Sequence, residues 1–205
     1  MDFAILCFTS LFAIVDPIGL IPAFLAITPG KTAQDRVRIS AIASVLTFFI
    51  LVLFAFLGRQ ILGALSVTLP AFEIAGGILL FFIAMDMLNA RLTTVRQTRE
   101  EQDAGADKTD IAITPLAIPM LAGPGAITAV MILASRVSGT GQALILLGAI
   151  FLISVITFLV FYVVAVKSSL ISVILQKIFT RLMGLLLAAI AIQFILNGIA
   201  ASGLL

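Results

Sequence analysis

Ala13-Ile14-Val15-Asp16-Pro17-Ile18-Gly19-Leu20-Ile21-Pro22 decides how this chain is read. One carboxylate stands beside a Pro-x-Gly, and between Phe3 and Gly30 it is the only charged side chain. The run around it is long enough to cross a bilayer, which takes roughly 20 apolar residues. A carboxylate near mid-depth costs about 2.5–3.5 kcal/mol on insertion scales. A helix break at the same depth frees backbone polar groups that hydrocarbon does not satisfy. Both costs in one place point to a use inside the protein.

The composition around that stretch agrees. The chain is 62% hydrophobic and 11% charged, with a mean hydropathy of +1.28, whereas a soluble domain is about 45–50% apolar and about 25% charged. The apolar runs do not alternate as the strands of a membrane barrel do. The sequence therefore predicts an all-α membrane protein whose first partner is the lipid bilayer. The net charge of +2 belongs to loops, so it reads as membrane orientation and not as nucleic-acid binding. A single cysteine, Cys7, and no histidine leave no disulfide framework and none of the commonest metal ligand or general base. No metal, cofactor or catalytic residue is expected. Glu73 and Asp86, the only acids that could pair with Asp16, are predicted near the membrane surfaces, so an enzyme is not expected. The N-terminus lacks a basic signal-peptide region, and the first segment reads as a retained span.

Six apolar segments are predicted to span, at 3–27, 39–62, 69–89, 111–134, 142–166 and 179–202. The polar stretch 91–110 reads as a cytoplasmic linker between a first half, 1–90, and a second half, 111–205. With six spans, Arg59 and Arg136 fall on one side and the other ten Lys and Arg on the opposite side. The positive-inside rule then places both termini on the periplasmic or extracellular face of a bacterial inner membrane.

The two halves repeat at a constant offset of 107. Pro17 pairs with Pro124, Gly77 with Gly184, Ile83 with Ile190 and Ala84 with Ala191. Across Phe72–Ala84, six of thirteen positions match, and the same gap-free register aligns the Pro/Gly clusters of the first and fourth segments. Each half holds an odd number of spans, so the second is inverted relative to the first. Two inverted three-helix repeats with helices 1 and 4 interrupted are the pattern of secondary transporters.

The candidate site follows from the breaks. Proline removes an amide donor and glycine permits backbone closed to other residues. Asp16, Pro17, Gly19 and Leu20 mark the first break; Gly123, Pro124, Gly125 and Ala126 mark the second, with Thr128 as a polar lining residue. The first amides of each half-helix, at Leu20, Ile21, Ala126, Ile127 and Thr128, carry partial positive charge suited to a carboxylate. The carbonyls freed before each break suit an ammonium group or a cation. Asp16 has two compatible roles, as an N-cap of the second half-helix and as the site of a coupling proton or sodium ion. Gly76, Gly77 and Gly184 read as close helix packing. Glu73 and Asp86 are expected to reach the interface, and Asn89, Gln193 and Asn197 to bridge helices.

These segments resemble the MarC family of six-span bacterial and archaeal membrane proteins. The likeness is carried by Asp16 to Pro22, by Ile74-Ala75-Gly76-Gly77-Ile78-Leu79-Leu80-Phe81, by Pro115 through Thr128 and by Arg181-Leu182-Met183-Gly184. Many relatives in that family have Asn at the position of Asp16. The resemblance implies the branch that moves small neutral amino acids, glycine and alanine, with ion coupling. A small zwitterion as substrate fits both the resemblance and the breaks. A channel or passive facilitator is the alternative. A homo-oligomer is compatible with the need to shield polar breaks from lipid.

Overall fold

Two of the long helices begin where a hydroxyl caps them. The computed structural model describes residues 2–89, 112–167 and 173–203; the linker expected at 91–110 lies outside the described residues. Helix α1 runs over Asp2–Val15 and α2 over Ile21–Ile27. Helix α3, Ala33–Ala64, starts where Thr32 Oγ1 accepts from the Asp35 amide at 3.2 Å. Helix α4, Leu69–Leu88, starts in the same way, with Thr68 Oγ1 accepting from the Ala71 amide at 3.3 Å and a proline in the first turn. Each cap satisfies an amide that has no partner within the helix.

The second half follows the same order. Helix α5 covers Ala112–Leu121 and is π-wound; α6 covers Pro124–Ser135, α7 Thr140–Val166 and α8 Val173–Ala201. The wide winding of α5 has a local cause. Pro115 and Pro119 supply no amide donor, and an α-helical turn crowds a proline ring against the carbonyl four residues back. The Ala122 amide reaches the Ala117 carbonyl at 2.8 Å, five residues back, and closes the π turn. Such turns are frequent at functional sites.

Among the described residues four helices, α3, α4, α7 and the Thr180–Ala201 part of α8, are long and apolar enough to cross a membrane. Helices α1 and α6 are apolar but shorter. At 1.5 Å per residue a 14-residue helix reaches about 21 Å, less than the roughly 30 Å hydrocarbon core. Both expected breaks are present. Helix α3 begins six residues before the predicted span at 39, because Thr32 caps it earlier than the apolar run starts. Large apolar side chains remain outside the core, among them Phe49 at 61%, Phe82 at 63% and Leu144 at 68% exposure. A helix apolar on all sides is one whose outer face meets lipid.

Helices α4 and α8 make the most extensive contact, followed by α3 with α7. The α4–α8 seam depends on glycine. A Cβ on Gly77 would stand 2.7 Å from the Ala191 carbonyl oxygen, and one on Gly184 would stand 3.1 Å from the Ala84 carbonyl oxygen. These are reciprocal contacts, because Gly184 and Ala191 are the positions 107 beyond Gly77 and Ala84. The two approaches thus follow the 107-residue register of the sequence. Helix α1 packs on α7 while α5 packs on α3, which is the same reciprocity at the level of elements.

Short helix α2 is held at its middle and at its C-terminal end. Phe24 is fully buried and stacks on Phe161 of α7, with centroids 4.6 Å apart and planes 3° from parallel. Arg36 Nη2 donates to the Thr28 carbonyl at 3.0 Å, so the first turns of α3 close the C-terminal end of α2. A cation on a helix's last carbonyl also meets the negative end of its dipole.

Candidate functional site

The break after α1 is built around Asp16. The Asp16 amide completes α1 by donating to the Phe12 carbonyl at 3.0 Å. The chain then turns with Asp16 at a φ of +44°, in the left-handed region, which aspartate tolerates better than most residues because its side chain can bond locally. Asp16 Oδ1 accepts from the Gly19 amide at 3.0 Å and fixes that turn. Asp16 is only 4% exposed, and its other oxygen, Oδ2, is buried with no hydrogen-bond partner. A buried polar atom without a partner is costly and calls for an explanation. A non-glycine residue in this backbone region costs of order 1–3 kcal/mol, and such strain clusters at functional sites.

Three expectations change here. Asp16 caps its own turn and not α2, whose N-cap is Leu20 with no side-chain hydrogen bond. The amides of Leu20 and Ile21 are taken by the carbonyls of Asp16 and Ile18 at 3.1 and 3.2 Å, so they are not available to a ligand. Thr128 donates to the Pro124 carbonyl at 2.7 Å and packs on Gly76 in α4, away from the space in front of Asp16. Each change has the same origin. A short polar group next to a break is satisfied by the nearest backbone partner before it can serve anything else.

The second break lies opposite the first. Gly123 is extended, with φ −74° and ψ 173°, and precedes Pro124 as an N-cap that has no side chain to offer. Proline at the first helical position carries no amide, and the Ile127 amide is bonded to the Gly123 carbonyl at 3.0 Å. Gly125 and Ala126 therefore supply the first amides of α6, ahead of its first helical bond.

One cavity of about 30 Å³ joins the two breaks. Asp16 and Leu20 border it from the first; Gly123, Gly125 and Ala126 border it from the second. Leu80 of α4 and Leu187 of α8 also border it, and these two are 107 apart, as are Asp16 and Gly123. The cavity thus lies between matched pairs from the two halves. It has space for roughly one or two waters, and Asp16 is the only charged side chain among its lining residues. Pro17 and Pro124 shape the turns without lining the space, and Gly19 lies against Asp16 and Met87. The sequence reading did not single out Met87, Met120 or Leu187. The repeat register could have found Leu187 from Leu80; nothing in the sequence marks the methionines.

Away from this cavity, Glu73 is 7% exposed, with Arg136 and Asn197 as its neighbours. It is therefore packed among α4, α6 and α8, one turn from the start of α4 and close to Arg136 at the end of α6. Asn197 links α8 to α4 in this way and accepts from Gln193 at 2.7 Å. Asn89 instead donates to the Met85 carbonyl of its own helix at 2.8 Å.

Comparison with known proteins agrees with this architecture. A family profile described as MarC family integral membrane protein matches residues 1–202. The UPF0056 membrane protein YvbG of Bacillus subtilis is 39% identical over 199 residues, covering 97% of this chain and 94% of that protein. MJ1677 of Methanocaldococcus jannaschii, of the same description, is 37% identical and covers 97% of each. YhcE of Escherichia coli is 35% identical over 195 residues, covering 94% of this chain and 89% of that protein. No solved structure matches the chain. With the profile spanning both breaks and all eight helices of the described residues, the chain belongs to the MarC family of integral membrane proteins.

Proposed function

We propose that this protein is a secondary transporter of small neutral amino acids, of the glycine and alanine class, driven across the inner membrane by a proton or sodium gradient. The observation that carries the reading is the shared cavity, where a free buried carboxylate oxygen and the start of an uncapped half-helix border the same small space. A zwitterion matches both ends. Its carboxylate suits the Gly125 and Ala126 amides at the positive end of α6. Its ammonium suits Asp16 Oδ2, for which a charged partner offsets the cost of burial. The 107-residue register supports two inverted repeats of three spans each, and the charge count supports both termini outside.

The cavity as it stands is too small for an amino acid, so the walls must part to admit one. Walls that part around a central site are the expectation for an alternating-access cycle. Asp16 is the only lining residue with a side-chain oxygen, which suits a proton better than a sodium ion, since hard cations are held by several oxygens. Radiolabelled glycine and alanine uptake into proteoliposomes, under imposed proton and sodium gradients, tests the reading. Accumulation above protein-free liposomes that collapses with one of the two gradients is the expected result. Equal counts with and without protein under both gradients would end it for these substrates.

A further inference from the structure

We propose that Met87 sets the size limit of this site, so that the side chain of the bound amino acid competes with the methionine for one volume beside Asp16. The inference rests on the transporter reading and adds to it a residue that selects among amino acids. Met87 leaves α4 against Gly184 of α8, where a Cβ would stand 2.9 Å from Met87 Cβ. A Cβ on Gly19 would stand 2.6 Å from Met87 Cε and would collide with Asp16 Oδ2. The methionine therefore runs from α8 across to the turn after α1, and its terminal methyl stops beside the unpartnered carboxylate oxygen. An ammonium group that reaches Oδ2 meets that methyl first.

The neighbouring walls are less able to yield. Leu80 and Leu187 are branched and 3% and 2% exposed, each held by the helices around it. Methionine is unbranched, with a polarizable thioether and several free torsions, and it re-packs where other side chains do not. Gly19 and Gly184 leave a slot for it and for nothing bulkier. The repeat does not impose this residue, because the matching position in the second half is Phe194. The lining is thus asymmetric at the point where the ligand's side chain would lie. A ligand side chain fits only as far as the methionine swings aside, which admits glycine and alanine and disfavours valine and leucine. Shortening Met87 to alanine removes the thioether and both its flanking carbons from the space in front of Asp16.

The test is competitive uptake of labelled glycine and valine in proteoliposomes by wild type, Met87→Leu, Met87→Val and Met87→Ala. The whole chain is used, with membrane insertion checked by resistance to alkaline extraction. The valine-to-glycine ratio is expected to rise at least about tenfold in Met87→Ala, the discrimination carried by a methylene or two in an apolar pocket. Met87→Val is expected to fall between, and Met87→Leu, which conserves volume, to stay near wild type. A ratio unchanged in Met87→Ala and Met87→Val, with glycine uptake retained, overturns the role of Met87 and leaves the transporter reading standing. Should Met87→Ala fail to insert, the Met87→Val ratio alone decides. No uptake of either amino acid by wild type overturns both.

Discussion

Asp16 carries two tasks on two oxygens. Oδ1 holds the turn through Gly19, and Oδ2 is left free in the cavity. The substitutions Asp16→Asn and Asp16→Ala therefore have separable outcomes. Asparagine keeps an acceptor for the Gly19 amide and tolerates the left-handed backbone, so folding should survive. Its lost charge should weaken alanine binding by about 10–100-fold, the equivalent of a charge-assisted hydrogen bond. Alanine loses the turn bond as well and is strained at positive φ, adding a cost of about 1–2 kcal/mol. Scintillation-proximity binding and denaturant titration of the purified proteins in detergent distinguish the two. The aspartate and its Pro-x-Gly were legible in the sequence because charge and helix breakers are expensive in lipid. The division of labour between its oxygens was not, because it depends on a turn geometry that no spacing rule specifies. Met87 was invisible for a different reason. One methionine in an apolar helix looks like any other until the glycines on facing elements are placed.

At the scale of the element, the half-helices are held unequally. Helix α2 is closed at its C-terminal end by Arg36 on the Thr28 carbonyl. The position matching Arg36 in the second half is Ala143, and Ala143 borders an apolar cavity of about 120 Å³ with Ala134 near the end of α6. One end is latched by a charged hydrogen bond; its counterpart is loosely packed. Arg36→Met should free the end of α2 and cost about 1.5–3 kcal/mol, the range for hydrogen bonds to charged groups. Faster amide exchange confined to 21–28 in Arg36→Met is the measurement that checks it. The α4–α8 seam makes a second prediction. Gly77→Val and Gly184→Val each push a side chain into opposing backbone or Met87, and each should destabilise by about 1–3 kcal/mol, as overpacking does. Reciprocal positions should suffer alike, with thermal midpoints lowered by similar amounts. Helix existence, both breaks and the 107 register were legible, since proline, glycine and apolar runs act locally. The π winding of α5 and the capture of the Leu20 and Ile21 amides were not, since both follow from how freed groups find new partners.

For the whole molecule, the central claim is that two breaks from two halves of the chain form one site for one small zwitterion. Orientation is checked separately. In a Cys7→Ser background, Ser202→Cys should react with an impermeant thiol reagent from outside intact cells, and Lys31→Cys only after permeabilisation. The fold follows from the amphiphilic limits of a lipid-embedded chain: long apolar helices face lipid, glycine seams bring α4 and α8 together, and both helix breaks meet with the buried Asp16 carboxylate at one interior point. That gathering is what a solute with two opposite charges would require. The most direct measurement is displacement of labelled alanine from the purified protein by unlabelled alanine, ethylamine and propionate. Ethylamine offers only the ammonium end and propionate only the carboxylate end. Each should compete at least about tenfold more weakly than alanine, since each forfeits one charge-assisted contact. Asp16→Asn should abolish the competition by ethylamine selectively. Ethylamine or propionate matching alanine in the wild type, or alanine binding unchanged in Asp16→Asn, would contradict the account.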